Sequence, residues 1–164
     1  IIVTATGLNI QMLGGMELSV DGESRPLNQQ MTYKGVLVEN LPNLAWIFGY
    51  TNAPWTLKSE IAGGYLGRLF RHMTDNGYQV ATPRDSADNA LDVGMLDSLQ
   101  SGYVQRAKDT LPRQGRSLPW RVLMHYGRDS KMLLRDPIED GVLRFDSKAK
   151  ASASASVPGL ALAA

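Results

Sequence analysis

A strand–turn–helix unit in the first third of the chain has the residue types of a ligand-binding element. The apolar run at 44–48 predicts a strand buried on both faces, and it ends at Gly49, where the backbone can approach a ligand closely. Thr51 and Asn52 are capping residue types, and Pro54 suits a first helical turn because it lacks an N–H group. A helix start presents free N–H groups and a positive dipole end, which attract an anionic or carbonyl-rich group. The same residues also fit an ordinary strand-to-helix connection, with a well-capped helix and no ligand.

The helix that begins in this unit is the best-defined element of the sequence. Residues 54–76 repeat apolar side chains every three to four positions, which is typical of a helix with one buried face. Gly77 predicts its end in a left-handed conformation. Gly63, Gly64 and Gly67 lie inside it, and each costs about 1 kcal/mol relative to alanine. They indicate either the close approach of another backbone or ligand, or a weak helix held by tertiary contacts.

Shorter elements surround this helix. The opening run at residues 1–5 is apolar and β-branched, and it predicts a buried strand with partner strands on both sides. Asp21 and Gly22 predict a two-residue hairpin turn between strands at 16–20 and 25–27. The remaining expected elements are strands at 35–38, 80–83 and within 138–145, a turn at 41–43, a polar loop at 84–91, and helices at 103–111 and 119–134. Together these patterns predict an α/β fold.

Composition narrows the classes of function. The chain has 164 residues, 43% of them hydrophobic and 20% charged, which is typical of a globular domain. Its net charge of +1 argues neither for a nucleic-acid partner nor for binding to a membrane surface, and we expect no nucleic-acid partner. The absence of cysteine excludes disulfides and thiolate chemistry, and His72 and His125 lack metal-ligand spacing, so we expect no metal site. No run reaches the roughly 18 apolar residues of a membrane span, and we find no secretory signal, so we expect a cytoplasmic protein.

An ordered set of segments resembles flavin-containing monooxygenases of the Baeyer–Villiger type. Residues 5–7, Ala-Thr-Gly, resemble the strand that leads from the NADPH-binding domain of that family into its FAD-binding domain. Further similar segments follow in the same order at 41–44, 49–58, 111–115, 119–121 and 140–145. The likeness covers residues 1 to about 145, and within the family the ethionamide-activating monooxygenase group is most similar.

The resemblance implies that the chain is the C-terminal part of a larger enzyme and is incomplete as a stand-alone fold. Residues 1–80 would be the C-terminal piece of a glutathione-reductase-like FAD-binding domain, with a few strands, one hairpin and one long helix. Residues 81–146 would be an irregular helical extension that packs on the N-terminal FAD and NADPH domains. Residues 147–164 are an alanine- and serine-rich tail of low complexity, which we expect to be disordered.

The resemblance also implies an activity for the parent enzyme. It would use FAD, NADPH and dioxygen, form a C4a-peroxyflavin, and insert one oxygen atom next to a ketone carbonyl or onto sulfur of a small-molecule substrate. The chain alone should be inactive, because the family's G-x-G-x-x-G fingerprints and its catalytic arginine match nothing here, and we assign no catalytic residue. The alternatives are an N- or S-oxygenating flavin monooxygenase and a non-catalytic stand-alone binding module, which would need residues 1–5 and 44–48 to be covered within this chain.

The family's site residues carry over only onto matching positions. By resemblance, Gly7 would turn the chain near the flavin. Asn52 and Trp55 would border the substrate cavity. The residues expected to bind the cofactor are Gly7, Gly49, Tyr50, Thr51, Asn52, Thr56 and Leu57.

The likeness to part of a larger enzyme predicts that the reading frame upstream of Ile1 encodes two G-x-G-x-x-G fingerprints, because these hold the dinucleotide pyrophosphates. Sequencing the DNA on the 5′ side of the Ile1 codon checks this. A stop codon followed by a start site directly before Ile1 would contradict it.

Overall fold

A computed structural model of the protein describes residues 1–86, 88–97 and 99–147. The described part of the chain mixes helices with short strands. Its α-helices are α1 (Trp55–Asn76), α2 (Gly102–Ala107) and α3 (Tyr126–Leu134). Its strands are β1 (Ser19–Val20), β2 (Glu23–Ser24), β3 (Thr32–Tyr33), β4 (Leu37–Val38), β5 (Val80–Pro83), β6 (Ala90–Gly94), β7 (Arg113–Gly115) and β8 (Leu143–Asp146). Short 3₁₀ turns lie at Met12–Gly15, Leu27–Gln29 and Lys108–Thr110.

The strands of the described residues form four separate antiparallel pairs. β1 pairs with β2, β3 with β4, β5 with β8, and β6 with β7. The β5–β8 pair joins the middle of the chain to its far end, with Val80 opposite Asp146 and Pro83 opposite Leu143. The mixed helix and strand class is therefore confirmed, and within the described residues the strands stay in small sheets.

Helix α1 confirms the predicted long helix almost to the residue. It begins at Trp55, one position after the predicted Pro54, and Gly77 ends it in the left-handed region at φ 68°. A residue with a side chain is strained at that backbone angle, so glycine is favoured there. Its buried side chains are Lys58, Ile61, Ala62, Tyr65 and Leu69.

The main core combines side chains from α1, α3 and the β3–β4 hairpin. Tyr33 and Trp120 are fully buried and pack edge to face, with 5.7 Å between their ring centroids. Such pairs add about 0.5–1.5 kcal/mol beyond the burial of their area. A second core lies around α2 and consists of Val38, Leu41, Trp46, Met95, Leu96, Val104, Ala107 and Leu111.

The interior glycines of α1 differ in their surroundings. A Cβ on Gly64 would lie 2.7 Å from a methyl carbon of Leu134, so this glycine allows the close approach of α3. A Cβ on Gly63 or Gly67 would meet nothing within 4 Å among the described residues. Close approach therefore accounts for one of the three glycines.

Asp140 ties the β3–β4 turn to the start of β8. Its Oδ2 accepts a hydrogen bond from the Tyr33 hydroxyl at 2.6 Å and lies 3.2 Å from Lys34 Nζ. Its Oδ1 accepts from the backbone N–H groups of Val142 and Leu143 at 3.0 and 3.1 Å. Burial alone would raise the pKa of Asp140, but these hydrogen bonds and the nearby ammonium group outweigh it and lower the pKa.

The predicted buried strands at 1–5 and 44–48 are wrong. Residues 1–5 are exposed and form no strand, because no strand of the described residues lies beside them to complete a ladder. Within 44–48, Ala45 forms a single antiparallel bridge with Leu37. Trp46 is buried but Ile47 is exposed, so one face of this run is uncovered and the run is not buried on both sides.

Predictions for the shorter elements have mixed outcomes. The hairpin at Asp21 and Gly22 is confirmed, but the return strand is β2, and the predicted strand at 25–27 leads into a 3₁₀ turn because Pro26 cannot donate to a ladder. The strand predicted at 35–38 appears as β4. The strands predicted at 80–83 and within 138–145 are confirmed as β5 and β8, although β8 ends one residue later, at Asp146. The helix predicted at 103–111 appears as the shorter α2, which begins one residue earlier, at Gly102, and ends at Ala107.

The last predicted helix and the predicted polar loop need correction. Residues 119–125 are not helical, and the helical part of the predicted stretch is α3, which begins at Tyr126. His125 caps that helix, because its Nδ1 accepts the backbone N–H of Arg128 at 3.3 Å. The predicted loop at 84–91 is shorter than expected, because β6 begins at Ala90. This strand pairs with β7, in which Gly115 lies opposite Ala90.

The tail at 147–164 lies outside the described residues except for Ser147. The division of the chain near residue 80 stays a prediction. None of the described helices combines the length and the apolar character needed to cross a membrane.

The substitution Asp140→Asn should lower stability at neutral pH and make the protein less sensitive to acid. The folded-state pKa of Asp140 lies below that of an unfolded aspartate, about 3.9. The ionised form therefore adds stability above that pH, and this is lost as the pH falls through the folded value. Urea unfolding of both proteins at neutral and acid pH should show their midpoints converging in acid.

Asp136→Asn is the matched control, because the Asp136 carboxylate pairs at 2.8 Å with Lys131, which is exposed. Such pairs contribute about 0–1 kcal/mol, so this variant should resemble the wild type throughout. A difference between Asp140→Asn and wild type that stays constant with pH would contradict the assignment.

Candidate functional site

The start of α1 is open and has no side-chain cap. Residues 51–56 are exposed, Pro54 occupies the N-cap position, and within the described residues no side chain caps the helix. Its first turn contains no acidic residue. The predicted capping role of Thr51 and Asn52 is therefore wrong, because both lie before the cap and Asn52 Nδ2 instead donates to the Met124 carbonyl at 3.0 Å. Leu57 N–H donates to the Pro54 carbonyl at 3.2 Å, whereas the backbone N–H groups of Trp55 and Thr56 have no partner among the described residues and remain available to a ligand.

Gly49 lies directly beneath the indole of Trp55. A Cβ built on Gly49 would overlap that ring, so only glycine fits here. The Phe48 ring packs against the same indole, with 4.9 Å between their centroids. Trp55 is nevertheless half exposed, with a relative accessibility of 50%. The group that closely approaches the Gly49 backbone is therefore the Trp55 indole of this chain. The other face of that indole is open to solvent.

A buried polar cluster lies behind the helix start. Asp129 Oδ2 accepts from the Tyr50 hydroxyl at 2.8 Å and lies 3.3 Å from Lys58 Nζ. The side chains of Asp129 and Lys58 are 2% and 9% exposed. Burial lowers the pKa of Lys58, and the Asp129 carboxylate opposes that change. Burial and the hydrogen bond to Asp129 raise the pKa of Tyr50, so the phenol stays protonated and acts as the donor.

A narrow cleft opens beside this cluster. It is lined by Lys34, Gly35, Phe48, Gly49, Lys58, Met95, Arg121, Val122, Leu123, Met124 and Asp129. Lys34 and Lys58 each pair with a carboxylate, at 3.2 and 3.3 Å. Their charges are therefore compensated within the chain, and the exposed donors of this region are the side chain of Arg121 and the amides at the start of α1.

The predicted site residues fall in two places. Tyr50 is buried, Leu57 packs partly against the main core, and Thr51, Asn52, Trp55 and Thr56 form the exposed helix start. Gly7 lies elsewhere, with φ 79°, and the atom nearest to its Cβ position is Arg106 Nη2 at 4.0 Å. Arg106 also donates to the Leu8 carbonyl at 3.0 Å, so this end of the chain lies beside α2.

Sequence reasoning missed the residues that hold the helix start in place. Lys58 falls on the apolar face of α1 together with Ile61 and Tyr65, and a lysine in such a stripe signals a buried partner. Nothing local identified that partner, because Asp129 lies on α3, 79 residues after Tyr50. Asp129 and Lys58 are therefore additions to the predicted site.

Gly49→Ala should displace the Trp55 indole, because the added Cβ would overlap the ring. Overpacking of this kind costs about 1–3 kcal/mol. The cost should largely disappear when Trp55→Ala is present as well, since the overlapping ring is then gone. Urea unfolding of the four members of this double-mutant cycle measures the coupling.

Gly63→Ala is the control for that cycle. Its added Cβ would meet nothing within 4 Å among the described residues, so it should not destabilise the protein. If Gly49→Ala cost the same with and without Trp55, the contact would not be the reason for glycine at this position.

Known proteins match this chain over most of its length. No family model and no solved structure matches it. The putative FAD-containing monooxygenase MymA of Mycobacterium tuberculosis is 70% identical over 155 residues, which are 94% of this chain and 31% of the relative. The probable FAD-binding monooxygenase AlmA of Acinetobacter baylyi is 42% identical over 90% of this chain and 30% of its own length. The FAD-containing monooxygenase EthA of Mycolicibacterium smegmatis is 40% identical over 95% and 31%. The chain spans about 31% of the length of the relative that is 70% identical to it, and it belongs to the FAD-containing monooxygenases.

Proposed function

We propose that the whole protein is an FAD- and NADPH-dependent monooxygenase of the Baeyer–Villiger type, which inserts one oxygen atom from O₂ next to a ketone carbonyl or onto sulfur of a small molecule. Relatives that match 88% or more of this chain are named as FAD-containing or FAD-binding monooxygenases, which supports the cofactor. Within that enzyme, we propose that this chain holds one edge of the flavin and contains no catalytic residue.

The observation that carries the proposal is the uncapped, exposed start of α1. This helix has 22 residues, and its dipole places a partial positive charge at Trp55 and Thr56. The pyrimidine edge of a flavin presents carbonyl oxygens and gains negative charge on reduction. A helix start with free N–H donors and no acidic side chain suits that edge, so the residues present fit the cofactor.

Each predicted site residue has a proposed role at this edge. Thr51, Asn52, Thr56 and Leu57 would orient the ring through the helix start, with Gly49 and Tyr50 supporting them from behind. Asn52 and Trp55 would also border the substrate, and Gly7 would turn the chain near the cofactor. FAD, when bound and reduced by NADPH, supplies the chemistry that activates dioxygen. The chain's own residues bind one edge, orient it and limit the substrate's access.

The rest of the whole protein is the proposed partner of the uncovered apolar surface. Ile1, Ile2 and Val3 are almost fully exposed, and Phe70 on α1 is 61% exposed. A stand-alone binding module would have to cover residues 1–5, so this exposure supports the enzyme over the module. We propose that the chain completes a glutathione-reductase-like FAD-binding domain together with the FAD and NADPH domains of the same protein.

Thr56→Asp in the whole protein should weaken FAD binding while leaving the helix at least as stable. An acidic residue in the first turn interacts favourably with the dipole, by about 0.3–1 kcal/mol, but repels an electron-rich ligand. We expect the dissociation constant for FAD to rise by about tenfold, or about 1.4 kcal/mol. Titration of the apoprotein with FAD, together with its melting temperature, measures both effects.

Thr56→Asn is the matched control for that substitution, because it has nearly the same shape as aspartate without the charge. It should bind FAD more tightly than Thr56→Asp does. Equal FAD affinity of the two variants and the wild type would place the flavin away from this helix start.

Trp55→Ala should change substrate preference or the uncoupling of NADPH oxidation, while FAD content stays near one per chain. Its indole is half exposed, so its removal should cost well below the roughly 3–5 kcal/mol of a core tryptophan. Flavin absorbance and the melting temperature of the whole protein measure this. A strongly destabilised variant without flavin would instead assign Trp55 to the core.

A further inference from the structure

One carboxylate oxygen holds both ends of the segment that carries the proposed flavin contacts. The Tyr50 hydroxyl donates to Asp129 Oδ2 at 2.8 Å, and Lys58 Nζ lies 3.3 Å from the same atom. Tyr50 directly precedes residues 51–57, and Lys58 directly follows them. The path of this exposed segment therefore depends on the position of Asp129.

Asp129 is itself fixed by the start of α3. Its backbone N–H donates to the His125 carbonyl at 2.9 Å, and its Oδ2 accepts the His125 backbone N–H at 3.3 Å. Its side chain is 2% exposed, so water does not replace a lost partner. Removing one member of such a pair leaves an uncompensated charge in a poorly solvated place.

The same cluster balances charge at the start of α1. Lys58 is the fourth residue of that helix, at the end where the dipole is positive. The Asp129 carboxylate compensates its ammonium group, so the pair adds no net charge there. Removing the negative member makes the helix start more positive, and removing the positive member makes it more negative.

We propose that Asp129, Lys58 and Tyr50 are positioning residues for the start of α1, and that the charges of Asp129 and Lys58 set how tightly this helix start holds reduced FAD relative to oxidised FAD. This inference rests on the proposed function, in which that helix start borders the pyrimidine edge of the flavin. Reduced flavin carries more negative charge at that edge than oxidised flavin does. A more positive helix start therefore raises the two-electron reduction potential of bound FAD, and a more negative one lowers it.

The test uses three variants of the whole, FAD-loaded protein. At a pH that keeps Lys58 protonated, Asp129→Asn leaves the ammonium group uncompensated and should raise the potential, whereas Lys58→Met leaves the carboxylate and should lower it. The double variant removes both charges and should return the potential close to the wild-type value. We expect each single variant to change the relative affinity for the two forms by about tenfold, or about 30 mV for a two-electron couple. Spectrophotometric titration against a reference dye measures the potential.

A further variant tests the anchoring without changing charge. Tyr50→Phe removes only the hydrogen bond at 2.8 Å, so it should raise the dissociation constant for FAD and leave the potential unchanged. If Asp129→Asn loses its flavin, Lys58→Met and the double variant decide the question. Asp136→Asn is the control, because its exposed pair with Lys131 lies at the other end of α3, and it should change neither quantity.

Potential shifts of the same sign in both single variants, or none in FAD-loaded variants, would overturn the inference. So would a double variant that keeps the shift of Lys58→Met. These results leave FAD binding itself intact. A wild-type protein that takes up no FAD would instead refute the proposed function, so the two failures are distinguishable.

Discussion

The position of α1 depends on the buried carboxylate of Asp129. Desolvation of a buried ion costs several kcal/mol, and only well-placed partners compensate that cost. Here one oxygen of that carboxylate, Oδ2, accepts hydrogen bonds from the Tyr50 hydroxyl and the His125 backbone N–H, and it pairs with the Lys58 ammonium group. These contacts join α3 to Tyr50 and Lys58, which lie on either side of residues 51–57. The backbone of that segment therefore has one preferred path, although the side chains of residues 51–56 are exposed.

This anchoring explains how an exposed segment can be an ordered one. Residues 51–56 pack little against the core, and local packing alone would leave them free to move. Their ends are instead held by buried polar contacts, and the Trp55 indole covers Gly49. A ligand that meets the first amides of α1 therefore finds them oriented in advance, which reduces the ordering entropy lost on binding. The buried cluster of Asp129, Lys58 and Tyr50, which orients these amides, lies behind the surface that would face the ligand.

Local patterns predicted the elements that local contacts form, and the rest needed partners distant in sequence. The apolar stripe and Gly77 sufficed for α1, and Asp21 with Gly22 sufficed for the first hairpin, because each signal lies within the element that it forms. The run at 1–5 has the composition of a buried strand, yet burial requires neighbours, and the described residues supply none. Likewise, the lysine in the apolar stripe hinted at a partner, but only the fold identifies Asp129. The sequence was thus sufficient to predict a candidate site at the start of α1. It was not sufficient to predict the contacts of Asp129 that hold this helix start in place.

In the function that we propose, the start of α1 borders the flavin. Backbone hydrogen–deuterium exchange of the whole protein, with and without FAD, tests it most directly, because it reports on the amides themselves. We expect FAD to slow exchange at Trp55 and Thr56, while the amides of β8, which pair with β5, change little. Unchanged exchange at residues 49–58 in a protein that has bound FAD and is protected elsewhere would contradict it.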